Sequence, residues 1–230
     1  MQFLQDKLLQ DFMHFRAVIF DLDDTLHDKS ATLRTVAKEQ YYSFELASLG
    51  VDAKFWQTSF VDLNNLRIEK TEVFSRLAQL FDIPRDIEAL LLNQFDANLG
   101  KSAKPFVGTQ EMLESLKAHG LKVGIVTNGR DTFQRSKIIG MGISEHIDAI
   151  VTSGGFGRKK PDPEIFLACL TQLGVLAGEA IFVGDDLKAD IEPAVRLGMR
   201  AIWKSASKSP LACYSSESLN NVSEFILENT

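Results

Sequence analysis

Phe20-Asp21-Leu22-Asp23-Asp24-Thr25 sets three carboxylates and a hydroxyl directly behind a short apolar run. Side chains alternate along an extended chain, so Asp21 and Asp23 point to the same side. One carboxylate could then attack an electrophile while the other exchanges a proton. Acids crowded this closely need a cation. The same residue types also suit an Asx-rich turn leaving a strand, so the chemical reading depends on what else the chain brings to that place.

Three further segments have the right composition. Val126-Thr127-Asn128-Gly129 ends another apolar run with a hydroxyl, an amide and a glycine ahead of a helical pattern, a placement that can wrap one phosphate with side-chain and backbone donors. Lys159-Lys160-Pro161-Asp162-Pro163 follows a loop containing Gly154, Gly155 and Gly157. A lysine there can neutralise phosphate oxygens as a point charge, although a solvated basic loop has the same composition. Val183-Gly184-Asp185-Asp186-Leu187, with Asp190 beyond it, adds a second acidic cluster. A hard divalent ion bound by oxygen ligands would reconcile these carboxylates with one another and with a phosphate dianion.

The elements that must position these segments recur as short β-branched and aromatic runs separated by helical patterns, the signature of a parallel sheet with crossover helices. Strands are expected at Arg16 to Phe20, Leu121 to Val126, Asp148 to Thr152, Ala180 to Val183 and Arg200 to Trp203. Helices are expected at Thr109 to His119, Asp131 to Ile139, Pro163 to Leu173, Leu187 to Leu197 and Ser216 to Glu228. The first four end at Gly120, Gly140, Gly174 and Gly198, each suited to a left-handed C-cap. All the acidic and phosphate-facing segments would then lie at carboxyl ends of strands, where open α/β sheets bind ligands.

The roughly hundred residues between the first and second strands are too long for an ordinary crossover. They carry apolar groups at helical spacing, from Tyr41, Tyr42, Phe44 and Leu46 through Val73, Leu77 and Leu80 to Ile87 and Leu92. The expected architecture is therefore α/β, a Rossmann-like three-layer parallel-sheet core formed by residues 1–27 and 102–230, with an inserted helical subdomain at 28–101. Residues 1–12 suit either a short amphipathic helix or an upstream start extension.

Composition narrows the function. The 230 residues are 45% hydrophobic and 24% charged, with 15 Gly and 6 Pro, which suits a globular chain and excludes global disorder. The net charge of −6 disfavours a nucleic-acid polymer as partner. Apolar runs are too short to cross a membrane, and Asp6, Lys7 and Asp11 interrupt any secretory leader, so a cytoplasmic location is the default. Cys169 and Cys213 lack metal-site spacing and are expected to be reduced, packed thiols. His14, His119 and His146 suit surface or helix-end positions, whereas His27 could face the site entrance just after the acidic loop. There is no GxSxG elbow, and Gly154-Gly155-Phe156-Gly157 does not open a helix in the first strand–helix unit, as a dinucleotide fingerprint would. Phe55, Trp56 and Phe60 fit a helical core, and Arg67, Lys70 and Arg76 a solvated face.

Taken in order, the four segments resemble the motifs of the haloacid dehalogenase superfamily, most of whose members are Mg2+-dependent phosphohydrolases. The resemblance covers residues 15–27 and 105 to about 230, and it implies that the helical insert is a cap of the first-position type. It further implies Asp21 as the nucleophile that forms an aspartyl-phosphate and Asp23 as the general acid and base. Thr25 would support their loop. Thr127, with Asn128 beside it, would hold the phosphoryl group, and Lys160 would stabilise its charge. Mg2+ would be held by Asp21, the backbone carbonyl of Asp23, and Asp185. Asp186 or Asp190 would act behind the metal or orient Lys160. Asp24 stands where many relatives carry glycine, and Asp186 where small polar residues are frequent. Expelling halide needs no proton whereas expelling an alkoxide does, so Asp23 favours hydrolysis of a phosphate monoester on a small metabolite, by a monomer or homodimer. Phosphonatase and phosphomutase chemistry are the alternatives inside the superfamily, and a phosphoacceptor or catalytically silent binding module is the alternative outside enzymology.

Overall fold

The computed structural model describes residues 15–66 and 68–230. The expectations for residues 1–12, His14 and Arg67 lie outside the described residues. Among the described residues six strands, β1 (Ala17–Phe20), β2 (Lys122–Thr127), β3 (Ala149–Thr152), β4 (Ala180–Gly184), β5 (Arg200–Trp203) and β6 (Tyr214–Ser215), form one parallel sheet in the order β3-β2-β1-β4-β5-β6. The expected α/β core is present. β6, only two residues long, has no periodicity to betray it in sequence.

Each central strand is apolar on both faces because helices cover both. Ala17 and Ile19 of β1 cluster with Phe166, Cys169, Leu170 and Leu173 of helix Pro163–Leu173. Val18 and Phe20, equally buried, alternate to the opposite face, while helices Thr109–Ala118 and Leu219–Glu228 pack on each other. β1 leads to β2 and β3 on one side, and β4 then returns to its other side. The crevice at the carboxyl ends of β1 and β4 is thus the topological switch point, where such sheets take ligands.

Local chemistry altered several expected boundaries. Gly120, Gly174 and Gly198 follow their helices with positive φ, but Gly140 does not: helix Asp131–Gly140 runs through it and the left-handed residue is Gly142. Gly140 is required for space instead, since a Cβ there would collide with the carbonyl of Gly100. The expected helix Leu187 to Leu197 opens as a π-helical turn, Leu187–Ile191, and continues as the short helix Glu192–Arg196. Pro193 lacks the N–H that an α-helix would give to the carbonyl four residues back. Cys169 is buried, and burial pushes its thiol up to about 12, whereas Cys213, contrary to expectation, is exposed; both are free. No helix among the described residues is long and apolar enough to cross a membrane.

The chain divides into two compact units. The first contains the sheet and runs to His27, then over Pro105–Gln134 and Gly142–Thr230; the second comprises Asp28–Lys104 with Arg135–Met141. Helices Lys29–Ser43, Ala53–Asn65, Lys70–Leu80 and Arg85–Asn98 build the second unit, with Asp28 and Asp52 capping the first two by accepting from Ala31 and Phe55 backbone N–H. Its core is aromatic: Trp56, Phe60, Phe74 and Phe95 are fully buried in edge-to-face and tilted contacts. Phe55 is half exposed and leans on Phe81. Arg76 faces water in an ion pair with Glu72, but Lys70 turns inward onto Asn64 and the Phe95 ring.

Candidate active site

β1 ends at Phe20, and Asp21 extends the sheet by donating its N–H to the Val183 carbonyl at 2.9 Å. The chain then folds tightly, Leu26 and His27 N–H both bonding to the carbonyl of Leu22. Asp24 takes φ 61 in this turn, a left-handed conformation that costs glycine nothing and that Asp tolerates better than most residues. Thr25, fully buried, donates toward Asp21 Oδ2 at 3.5 Å and Asp185 Oδ1 at 3.4 Å, tying the ends of β1 and β4 together.

The end of β4 brings up the second acidic cluster. Gly184 has no room for a side chain because the Asp190 carboxylate fills the place of its Cβ. Trp203 Nε1 donates to the Asp185 carbonyl at 2.7 Å. Asp186 and Asp190, which the sequence left equivalent, divide their duties. Asp186 caps the π-helical turn by accepting from the N–H of Lys188 and Ala189, while Asp190, fully buried, accepts from Lys160 Nζ at 2.7 Å and from the Asp186 N–H.

Lys160 is buried between two carboxylates, its Nζ also donating to Asp21 Oδ1 at 2.5 Å. Its main chain is gripped by Asn128, whose Oδ1 accepts from Lys160 N–H and whose Nδ2 donates to the Lys160 carbonyl. The expected phosphate-binding amide therefore places the lysine. Thr127, at the end of β2, is buried beside it. The structure gathers all nine residues expected from sequence in the sheet-containing unit.

Residues 18–204 match the family model of the haloacid dehalogenase-like hydrolases. The chain belongs to this family. Two curated proteins are each 32% identical to it. One, a glyceraldehyde 3-phosphate phosphatase from Methanocaldococcus jannaschii, is matched over 80% of this chain and 82% of its own. The other, a ribulose-1,5-bisphosphate 5-phosphatase from Halopiger xanaduensis, is matched over 87% and 89%. Among solved structures, a haloacid dehalogenase-type phosphatase from Thermococcus onnurineus is 26% identical, with a TM-score of 0.61 over 92% of this chain and 98% of that one.

The electrostatics of this haloacid dehalogenase-like hydrolase fit a bound cation. Burial raises the Asp21 carboxyl from 3.8 to about 7 despite the pull of Lys160, with Asp190 and Asp23 adding to the rise. Burial does the same to Asp185, also to about 7, helped by Asp21 and Asp24. Asp190 is raised by burial too, against Lys160. Burial alone would lower Lys160, but Asp21 and Asp190 more than offset it and hold its ammonium charged. Carboxylate oxygens of Asp21, Asp185 and Asp190 lie within 4.8 Å of one another, and the Lys160 ammonium cannot balance three ionised acids. The donor set is all oxygen, as Mg2+ requires. Asp190 has both oxygens occupied, Oδ1 by Lys160 and Oδ2 by the Asp186 N–H, so Asp21 and Asp185 are the carboxylates best placed to take the ion.

Two residues at the site were not assigned from sequence. His27 is fully buried rather than at the entrance, and its Nδ1 lies 2.6 Å from Asp23 Oδ1. Gln134, in the first turn of helix Asp131–Gly140, donates from Nε2 to Thr127 Oγ1 at 2.6 Å and to Asp23 Oδ2 at 3.2 Å. The signal for His27 was its four-residue spacing from Asp23 in a tight turn. For Gln134 it was a long polar side chain one helical turn past the loop that follows Thr127.

Proposed function

We propose that the protein is a cytoplasmic, Mg2+-dependent phosphatase that hydrolyses a small phosphorylated metabolite through an aspartyl-phosphate on Asp21. The observation that carries this reading is Asp21 bonded to the buried Lys160, with a second carboxylate, Asp23, two residues on. Asp21 attacks phosphorus as the ester P–O bond breaks, and Asp23 delivers a proton to the departing alkoxide. Asp23 then takes a proton from the water that attacks the aspartyl-phosphate, which releases inorganic phosphate, frees the Asp21 carboxylate and returns Asp23 to its protonated form. Lys160 and the Thr127 hydroxyl face the charge on the transferring group. Mg2+, held by Asp21, Asp185 and the Asp23 carbonyl, supplies further neutralisation of the phosphoryl oxygens when bound. The helical segment beginning at Asp28 takes the role of the family's cap and sets specificity. The curated relatives make three- to five-carbon sugar phosphates the first substrates to try.

A panel of phosphorylated metabolites, read by phosphate release, tests this. Asp21→Asn should abolish turnover, and Asp23→Asn should lower it about 10²–10⁴-fold, with circular dichroism unchanged in both. Full activity in Asp21→Asn would overturn the mechanism.

A further inference from the structure

Asp23 can serve as acid and base only if its carboxylate holds one orientation, and two buried side chains outside the inferred reaction fix it. His27 Nδ1 meets one oxygen at 2.6 Å and Gln134 Nε2 meets the other at 3.2 Å. We infer that His27 and Gln134 are a positioning pair that aims Asp23 at the leaving group, with Gln134 also aiming the Thr127 hydroxyl at the phosphoryl group; this rests on the phosphatase reading above.

The geometry of Gln134 is dictated by charge. Its amide must turn the NH2 group toward Asp23, because the opposite rotamer would set its carbonyl oxygen against a carboxylate. With one N–H committed to Asp23, the second lies on Thr127 Oγ1 at 2.6 Å. A hydroxyl that accepts there must send its own proton elsewhere, and the open direction for a donor at the end of β2 is the phosphate site. Burial makes the arrangement rigid: His27 is fully buried, and Gln134 and Thr127 are 1% exposed. Gly129, with φ 146, leaves the room a side chain would take from Gln134. His27 is held from its backbone as well, its N–H bonding to the Leu22 carbonyl and its carbonyl accepting from Asp24 N–H. Both act on the reaction through Asp23 and Thr127.

A positioned acid matters most when the leaving group is poor, so leaving-group dependence separates aiming from mere support of the fold. The experiment compares kcat/KM for 4-nitrophenyl phosphate, whose leaving group is good, with that for phenyl phosphate, whose leaving group is worse and whose shape is nearly the same. In His27→Leu the loss on phenyl phosphate should exceed the loss on 4-nitrophenyl phosphate by about 10-fold, a fraction of the 10²–10⁴ that general acid catalysis supplies. His27→Asn, whose amide nitrogen can replace Nδ1 as donor, should restore most of that difference. Gln134→Met, which keeps the length and loses both donors, should lower kcat/KM for both esters and widen their ratio as well, and it stands in should His27→Leu fail to fold. An unchanged ratio in His27→Leu and Gln134→Met, or identical behaviour of His27→Asn and His27→Leu, overturns the inference while the wild type still turns over both esters. A wild-type protein that releases phosphate from neither ester overturns the phosphatase reading and this one with it.

Discussion

With a chelator at about pH 8 the sheet-containing unit should melt several degrees lower than with Mg2+, and the gap should close as the pH falls to about 5. Asp21 is raised by burial, and Asp185 by burial and by its acidic neighbours, each from 3.8 to about 7. Between those values the folded protein holds protons that the unfolded chain has released, so metal-free stability falls as pH rises through the window and is lowest above it. For Asp21 the displacement corresponds to about 4 kcal/mol at full strength. Relaxation and water penetration leave about half of that, which for a chain of this size is roughly 4–8 °C in Tm. A cation on Asp21 and Asp185 takes the place of the protons and removes the cost.

Thermal melting with chelator or Mg2+ at both pH values, on the native protein and Asp21→Asn, reads this directly. The variant has no carboxyl to ionise at that position, and Lys160 keeps Asp190 as its partner. It should therefore be more stable than the native protein in chelator at about pH 8, lose that advantage at about pH 5, and respond less to Mg2+. An Mg2+ shift of the same size at both pH values would refute the reasoning, as would an Asp21→Asn protein less stable than native in chelator at the higher pH.

Lys160→Met should be worse than any single loss among the acids, because it leaves Asp21 and Asp190 buried without the ammonium that bonds to both. The expected cost is about 3–5 kcal/mol in denaturant unfolding at neutral pH, shrinking in acid as the carboxyls take up protons, with phosphate release lost. In the helical unit, Gly140→Ala should destabilise by about 1–3 kcal/mol in the same assay, since its Cβ would press on the Gly100 carbonyl. Alanine normally strengthens a helix over glycine by up to about 1 kcal/mol, so a stabilised variant would show that the close approach is not rigid.

What could be seen in the sequence follows from which properties are local. Asp21, Thr127, Lys160 and Asp185 each end or follow a strand or sit in a loop bounded by glycine and proline, and a parallel sheet must deliver such segments to one edge, so their company was legible before any coordinate. The partition between Asp186 and Asp190 was not, because it turns on the winding after β4: Asp186 caps that turn through Lys188 and Ala189, which brings Asp190 under the strand end against Gly184 and onto Lys160. Asn128 looked like a phosphate ligand by composition, yet its amide matches the donor and acceptor of the Lys160 main chain, a pairing set by the approach of two loops distant in sequence. Gly140 fitted a cap by position and turned out to serve packing, since the space denied to its Cβ is filled by backbone forty residues upstream. His27 and Gln134 escaped for a related reason. Each is an ordinary residue whose importance lies in the polar atom it reaches, and a partly buried carboxylate such as Asp23 takes donors on its oxygens where the chain can supply them. Composition and spacing thus reveal the groups that carry charge to the reaction, while the groups that hold them still are set by the demand of buried polar atoms for partners and emerge only with the packing.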